Sequence, residues 1–125
     1  MHRHLQVLIV EDNPVNLKLT GDLLRMDGFT VHTCRSAEDA IEMLKEMLPD
    51  ILLTDIGLPG MDGLQLTRIM KAEERTKGMK IIAITAFAMK GDSDRVKEAG
   101  CNGYITKPID TRKFTLEILE IYNRP

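Results

Sequence analysis

Three acidic side chains lie at the ends of apolar runs that have the character of buried strands. Glu11 and Asp12 follow residues 7–10, and Asp55 closes the run that begins at Ile51. Continuous apolar runs of this length are typical of parallel sheets, in which both faces are covered. Ligands of open α/β sheets bind outside the carboxyl ends of such strands. Taken alone, Asp55 fits a turn-capping role equally well, but the acidic pair at the other strand end favours a shared site.

A hydroxyl and an ammonium lie at the ends of two later runs: Thr85 closes residues 80–85, and Lys107 follows residues 103–106. Neighbouring carboxylates repel one another unless a cation compensates them, and oxygen ligands of this kind suit Mg²⁺. A carboxylate can also act as the nucleophile of a phosphoryl transfer, which gives an aspartyl phosphate. That reaction depends mainly on positioning and charge neutralisation. Lys107 and the metal would supply the charge, and Thr85 a hydrogen-bond donor.

The order of the elements predicts a sheet that would bring these groups together. Five strand-like runs alternate with five helix-like segments, which indicates an α/β domain with a parallel sheet. Right-handed crossovers favour a doubly wound topology. The predicted strands are residues 7–10, 29–34, 51–55, 80–85 and 103–106. The predicted helices begin near Asn13, Ser36, Asp62, Ala88 and Asp110.

The helices carry finer predictions. The second is expected to run to Leu48, where Pro49 ends it, and Asp110 is expected to cap the last helix. The segment Ala88–Ala99 has low helix propensity. The inward stripe of the first helix is predicted to be Val15, Leu19, Leu23 and Met26. The apolar residues of the last helix spread too widely for one inward stripe, so some are expected to face outward; they are Phe114, Leu116, Ile118, Leu119 and Ile121.

Composition bounds the class of protein. The chain has 125 residues, and we expect one domain that spans residues 1–125. A net charge of −2 gives no reason to expect a nucleic-acid partner, because proteins that bind nucleic acid present basic faces.

The apolar run Val7–Val10 is too short for a signal-peptide core, and no run approaches a membrane span, so we expect no membrane partner and a cytoplasmic location. Cys34 and Cys101 are expected to be reduced thiols.

Four motifs together resemble the receiver domains of two-component response regulators, over essentially the whole chain. They are Val7–Asn13, Thr54–Gly63, Ile84–Ala86 and Gly103–Pro108. The resemblance implies a flavodoxin-like (βα)5 fold with the strand order 2-1-3-4-5.

The resemblance also implies roles for the acidic end of the sheet. Asp55 corresponds to the phosphoacceptor. Glu11 and Asp12 correspond to the acidic pair that holds Mg²⁺, and Asp55 and the backbone carbonyl of Gly57 would be further metal ligands. Many relatives carry a polar side chain where this sequence has Gly57, which leaves the lifetime of the aspartyl phosphate open.

Four further positions match the residues that respond to phosphorylation. Thr85 corresponds to the switch hydroxyl, Tyr104 to the switch aromatic and Lys107 to the lysine that pairs with the phosphate. The small Ala86 would leave the phosphate room. The bond between Lys107 and Pro108 is expected to be cis, as in the family.

The resemblance implies protein partners as well. Receivers of this type exchange phosphoryl groups with histidine kinases or histidine phosphotransfer proteins, and the sequence looks most like hybrid-kinase receivers and small single-domain regulators. Because the sequence ends at Pro125, directly after the last helix, no output domain is expected. We therefore expect the face made by Ala88–Ala99, Tyr104 and the last helix to bind a downstream protein in one phosphorylation state.

Two other classes of protein remain as alternatives. A haloacid-dehalogenase-like phosphatase also combines a strand-end aspartate with Mg²⁺, but it would need a second aspartate at the position of Gly57. A nucleotide-binding enzyme would need a phosphate-cradling loop, and the spacing of Gly57, Gly60 and Gly63 does not match one. The resemblance to receiver domains instead implies chemistry limited to the chain's own phosphorylation and dephosphorylation, not the turnover of an external substrate.

Overall fold

A computed structural model of the chain describes residues 4–86 and 90–124. Five parallel strands form one sheet in the order β2-β1-β3-β4-β5. The strands are β1 (Gln6–Val10), β2 (Thr30–Cys34), β3 (Ile51–Asp55), β4 (Lys80–Thr85) and β5 (Gly103–Thr106). The helices are α1 (Pro14–Met26), α2 (Ala37–Leu44), α3 (Gly63–Ala72), α4 (Lys90–Ala99) and α5 (Phe114–Tyr122). This confirms the predicted doubly wound (βα)5 fold and its strand order.

Helices cover both faces of the sheet because successive strand side chains point to opposite faces and the central strands are apolar on both. On one face, Val7 and Ile9 belong to an apolar cluster that includes Phe114 and Ile118 of α5 and Leu24 of α1. On the other face, a second cluster combines Leu8, Val10 and Leu52 of the sheet with side chains of α2 and α3. All five residues of β3 are buried. The strand that ends on Asp55 is therefore the buried middle strand of the sheet.

The strand register aligns the carboxyl ends of the strands. In β1 and β3, Val10 pairs with Thr54, so the residues that follow them, Glu11 and Asp55, leave the sheet side by side. Asp55 also pairs with Ile84 of β4.

Side chains predicted to cap helices do so in three cases. Asn13 Oδ1 accepts hydrogen bonds from the backbone N–H groups of residues 15 and 16 at the start of α1. Ser36 Oγ accepts one from Asp39 N at the start of α2. Asp62 and Gln65 form a reciprocal capping box at the start of α3. These caps fix where each helix begins after the loops of the site.

The residues of α1 that face the sheet are not the ones predicted from the sequence. The buried residues are Thr20, Gly21 and Leu24, whereas Val15 and Met26 are 74% and 81% exposed. A threonine and a glycine face the sheet, and their small size lets the helix approach it. Leu23 alone of the predicted stripe packs against the core, so the pattern of large apolar residues pointed mostly to the wrong face. Of the remaining residues predicted for the stripe, Leu19 is exposed and Leu23 is half-buried.

Two helix bounds also differ from prediction. α2 ends at Leu44, and Leu48 is 53% exposed. The guanidinium of Arg75 donates to the backbone carbonyl of Leu44, which in a longer helix would accept from the N–H of Leu48. Asp110 caps a turn instead of α5: its Oδ1 accepts from Arg112 N, and α5 begins only at Phe114.

One prediction for the later helices is confirmed, and a second falls partly outside the described residues. Leu116 of α5 is 67% exposed, so part of its apolar surface does face outward. The segment predicted as a weak helix is helical from Lys90 to Ala99, and its first residues, Ala88 and Met89, lie outside the described residues. Within residues 4–86 and 90–124, no helix has the length and apolar character needed to cross a membrane.

Candidate functional site

Three carboxylates converge where β1 and β3 end. Glu11 and Asp55 are 4% and 7% exposed, and Asp12 is half-buried at the start of the β1–α1 loop. One oxygen from each of the three lies within 4.8 Å of the others. The strand register places Glu11 beside Asp55, so the backbone itself brings the carboxylates together, as the strand-end positions predicted.

Lys107 compensates part of this charge from the end of β5. Its Nζ donates to Asp55 Oδ2 at 2.7 Å and to Glu11 Oε1 at 3.2 Å. Burial lowers the pKa of Lys107, but the hydrogen bonds and negative charges of Asp55 and Glu11 outweigh it, so the pKa lies above its ordinary value. Lys107 is therefore a fixed ammonium at neutral pH. The bond between Lys107 and Pro108 is cis, as the resemblance implied.

The charge of the cluster is not balanced by Lys107 alone. Burial, followed by the proximity of Asp55, raises the pKa of Glu11 above its ordinary value, although hydrogen bonding from Asn13 N and the charge of Lys107 oppose the shift. Three carboxylates face one ammonium, and this excess of negative charge favours a divalent cation. Clustered carboxylate oxygens are the ligands that Mg²⁺ prefers in proteins, so Glu11, Asp12 and Asp55 fit such an ion.

The β3–α3 loop places Gly57 against Asp55. The backbone N–H of Gly57 donates to Asp55 Oδ1 at 2.9 Å, so the two oxygens of Asp55 have different partners. A Cβ added at Gly57 would lie 3.7 Å from the same Oδ1, at ordinary contact distance. A larger side chain at this position would begin beside the carboxylate, whereas glycine places no side-chain atom there.

The residues predicted to respond to phosphorylation occupy two places. Thr85 is buried at the end of β4, one residue beyond Ile84, the pairing partner of Asp55, and the next residue, Ala86, is exposed. Tyr104 is not part of the carboxylate cluster. It is 42% exposed on β5 and lines a cavity of about 500 Å³ together with residues of α4 and α5.

An apolar groove of about 450 Å³ lies beside Lys107. It is lined by Asn16, Leu19, Ala86, Lys107, Pro108 and Ile109. Leu19 was predicted to be buried against the sheet, and its exposure on this groove follows from the actual phase of α1.

Two charged residues of the β2–α2 region were not predicted from the sequence. Arg35 Nε and Nη2 both donate to the backbone carbonyl of Asp12, at 3.3 and 2.9 Å. Glu38 Oε2 accepts from Met61 N at 3.3 Å. Arg35 directly follows β2, so the same strand-end reasoning, applied to this edge strand, was the available signal. Glu38 has no such signal, because its contact depends on the path of a distant loop.

Comparisons with known proteins agree with this geometry. The sequence profile of the response regulator receiver domain matches residues 7–119. The polar-differentiation response regulator DivK of Brucella ovis is 42% identical over 116 residues, which is 93% of this chain and 94% of DivK.

Solved structures give the same result. A Chloroflexus aurantiacus protein assigned as a response regulator has a TM-score of 0.92 at 30% identity, covering 98% of this chain and 100% of that one. The receiver domain of the sensor histidine kinase PA1611 of Pseudomonas aeruginosa, which holds a magnesium ion in its active-site cleft, has a TM-score of 0.87 at 31% identity, with the same coverage.

Proposed function

The chain belongs to the response regulator receiver family and is a phosphorylation-activated signalling switch, and we propose that Asp55 is its phosphoacceptor. The observation that carries this assignment is the Asp55 carboxylate itself. It is nearly buried at the end of the central strand, it receives hydrogen bonds from Lys107 Nζ and Gly57 N, and it lies within reach of the acidic pair. Of the three carboxylates, only Asp55 is contacted by both the lysine and the glycine loop.

The proposed reaction is the attack of a carboxylate oxygen of Asp55 on the phosphorus of a phosphohistidine. A new O–P bond forms, the N–P bond breaks, and its electron pair stays on the imidazole of the donor. Negative charge on the phosphoryl oxygens is the main obstacle in such a transfer. Lys107 is already placed to pair with it, and the N–H of Gly57 can donate to it after small movements.

Glu11, Asp12 and Asp55 are the residues proposed to hold Mg²⁺, with the backbone carbonyl of Gly57 as a further ligand. When bound, Mg²⁺ neutralises charge on the phosphoryl oxygens and orients them. Before it binds, the excess negative charge of the cluster would repel a phosphoryl donor, so phosphorylation should require the metal.

The proposed phosphodonor is a histidine kinase or a histidine phosphotransfer protein. A donor histidine must bring its imidazole close to Asp55, and the groove beside Lys107, with its exposed Leu19 and Pro108 and half-buried Ile109, offers an apolar contact surface at that point. A donor that presents a helix with a central histidine would cover this groove while its imidazole faces Asp55.

The proposed output surface is the face made by α4, Tyr104 and α5, with Ala88 and Met89 outside the described residues. A phosphoryl group adds charge and strong hydrogen-bond acceptors beside Thr85, and a hydroxyl that turns to donate to it would leave space for the ring of Tyr104. This motion would change the cavity between α4 and α5, where we propose that a downstream protein binds.

A cytoplasmic location, a single domain of residues 1–125 and the lack of activity on external substrates stay predictions.

The haloacid-dehalogenase-like alternative has no support in these comparisons. The acid–base aspartate that such a phosphatase needs would stand at residue 57, and glycine occupies that position.

The proposed function is tested by self-labelling with a small phosphodonor. Incubation with Mg²⁺ and acetyl phosphate should give one acid-stable, base-labile phosphoryl group per chain, and chelation of Mg²⁺ should prevent it. Asp55→Asn should abolish the label, whereas Asp50→Asn is the matched control at the opposite end of β3, where Asp50 accepts from Gln6 N. Equal labelling of Asp55→Asn and the parent would refute the assignment.

A further inference from the structure

Arg35 fixes the backbone of a metal-ligand loop without contacting any carboxylate of the site. Two nitrogens of its guanidinium donate to one acceptor, the carbonyl of Asp12, and the planar, rigid guanidinium group makes such a contact directional. The neighbouring Glu11 N donates to the carbonyl of Cys34 at 3.1 Å, so the β1–α1 loop is joined to the end of β2 at two points. The carbonyl that Arg35 holds and the carboxylate proposed to bind the metal belong to the same residue, Asp12, so a restraint on this backbone also restrains the carboxylate.

Glu38 makes the corresponding contact to the β3–α3 loop. Its Oε2 accepts from Met61 N, and a Cβ added at Gly60 would lie only 3.1 Å from the same oxygen, so the carboxylate packs closely on the loop. The same loop carries Gly57, whose N–H donates to Asp55. Leu58, in the middle of the loop, is buried against the side chains of α2.

We propose that Arg35 and Glu38 are positioning residues for the metal site: they hold the β1–α1 and β3–α3 loops at a fixed separation. The inference rests on the proposed function, because the separation of these loops sets the distance between Asp12 and the ligands of β3. Both residues belong to a four-residue segment, 35–38, that supplies no ligand itself.

The loss of residues that orient metal ligands commonly lowers metal affinity by about 10- to 100-fold. We expect about three- to tenfold in this protein, because both side chains are exposed to solvent and their hydrogen bonds compete with water.

The sign of the effect separates positioning from simple charge. Arg35 carries a positive charge close to an anionic cluster, so charge alone predicts that its removal would strengthen Mg²⁺ binding. A positioning role predicts that removal of Arg35 would weaken Mg²⁺ binding, because the β1–α1 loop that carries Asp12 would lose a restraint. Substitution of Glu38 gives a second test. Glutamine keeps a hydrogen-bond acceptor but loses the charge, whereas alanine loses both.

The first experiment measures the Kd for Mg²⁺ alone by calorimetry, in the parent, in Arg35→Met and in Arg35→Lys. Arg25→Met is the matched control, because it removes an exposed arginine of α1 whose ion pair is with Asp22 of the same helix. Arg35→Met should raise the Kd by about three- to tenfold, Arg35→Lys by less, and Arg25→Met should leave it unchanged. An unchanged or lower Kd in Arg35→Met would overturn the proposal.

The second experiment compares Glu38→Ala with Glu38→Gln, with Glu42→Ala as the control on the exposed side of the same helix, where Glu42 pairs with Lys45. Glu38→Ala should weaken Mg²⁺ binding and Glu38→Gln should stay close to the parent. Equal weakening in both variants would assign the effect to charge and contradict a positioning role. A merely structural role would lower the melting temperature of the metal-free protein without changing the Kd for Mg²⁺, and that result would also overturn the proposal.

Failure of this inference is distinguishable from failure of the proposed function. If the parent binds Mg²⁺ and is labelled on Asp55 while Arg35→Met and Glu38→Ala bind the ion as the parent does, only the positioning role is refuted. If the parent itself is not labelled, the proposed function is refuted.

Discussion

Lys107 is the residue on which the electrostatics of the site depend most. It is the one ammonium that contacts the carboxylates of Glu11 and Asp55 among the described residues, and both carboxylates are nearly buried. Buried charges are costly unless they are paired. In the metal-free protein, Lys107 therefore lowers the free-energy cost of burying the carboxylates of Glu11 and Asp55. The excess negative charge that remains is what a divalent cation would neutralise.

The carboxylate of Asp12 should be needed for the metal and unfavourable without it. Asp12→Ala should lower Mg²⁺ affinity by at least about tenfold, because Mg²⁺ relies on few protein carboxylates. The same change should stabilise the metal-free protein by up to about 1 kcal/mol, since it relieves repulsion within the cluster. Urea unfolding with and without Mg²⁺ measures both effects, with the exposed Glu74→Gln as control. Unchanged Mg²⁺ affinity would rule out Asp12 as a ligand.

Cys34 should react with alkylating reagents only at high pH. Burial raises the pKa of its thiol to about 11, so the reactive thiolate is only about one part in a thousand at pH 8. The rate of iodoacetamide modification of a Cys101→Ser variant should therefore still rise about tenfold per pH unit between pH 9 and 10. A rate that levels off near pH 9 would show a thiol of ordinary pKa and contradict the burial of Cys34.

At the scale of the elements, the sequence was sufficient for the sheet and insufficient for the helix faces. β1, β3 and β4 could be predicted because each contains a continuous apolar run that ends at a polar group. β2 and β5 are mixed segments, TVHTC and GYIT, and were predicted as an edge-side strand and a short strand. The orientation of α1 could not, because Thr20 and Gly21 face the sheet and neither is recognised as apolar. The end of α2 depends on Arg75 reaching Leu44, a contact between residues far apart in the chain that no local pattern reveals.

The close approach of α3 to β3 should tolerate no side chain at Gly63. A Cβ there would lie 2.3 Å from the carbonyl oxygen of Asp55 and 3.1 Å from Ile56 Cα, both of them backbone atoms. Gly63→Ala should therefore destabilise the protein by about 1–3 kcal/mol and weaken Mg²⁺ binding by displacing Asp55. Denaturant unfolding and metal titration measure these effects.

Gly78→Ala is the matched control for this substitution. A Cβ at Gly78 meets no atom within 4 Å. Alanine there should be neutral, or it should stabilise the protein by up to about 1 kcal/mol because it lowers the conformational entropy of the unfolded chain. Equal stability of Gly63→Ala and Gly78→Ala would show that α3 can move away from β3 freely, and the tight packing of the two elements would then not constrain Asp55.

At the scale of the whole molecule, the site and the proposed output face are joined by two neighbouring strands. β4 ends on Thr85 and pairs with β5, which carries Tyr104. The sequence predicted the carboxylates and Lys107 as one site because a parallel sheet aligns all its strand ends on one edge. It could not predict the contacts of Arg35 and Glu38, since these depend on how the loops fold over that edge.

Phosphorylation should alter the α4–β5–α5 face through these strands. With Mg²⁺ and beryllofluoride, a phosphoryl mimic, backbone amide shifts should change in Lys90–Ala99 and around Tyr104 as well as near Asp55. Tyr104→Ala should reduce the changes in α4, whereas Tyr122→Ala, at the far end of α5, should not. Changes confined to the loops around Asp55 in the parent would contradict the proposed route.

The location of the phosphoryl group tests the central claim most directly. After incubation with Mg²⁺ and acetyl phosphate, reduction with borohydride converts an aspartyl phosphate to homoserine, which peptide mass spectrometry can assign to one position. We predict homoserine at position 55 alone. Homoserine at Asp12 or at any other aspartate, or a phosphoryl group on a histidine or hydroxyl side chain in place of Asp55, would contradict the assignment of Asp55 as the phosphoacceptor.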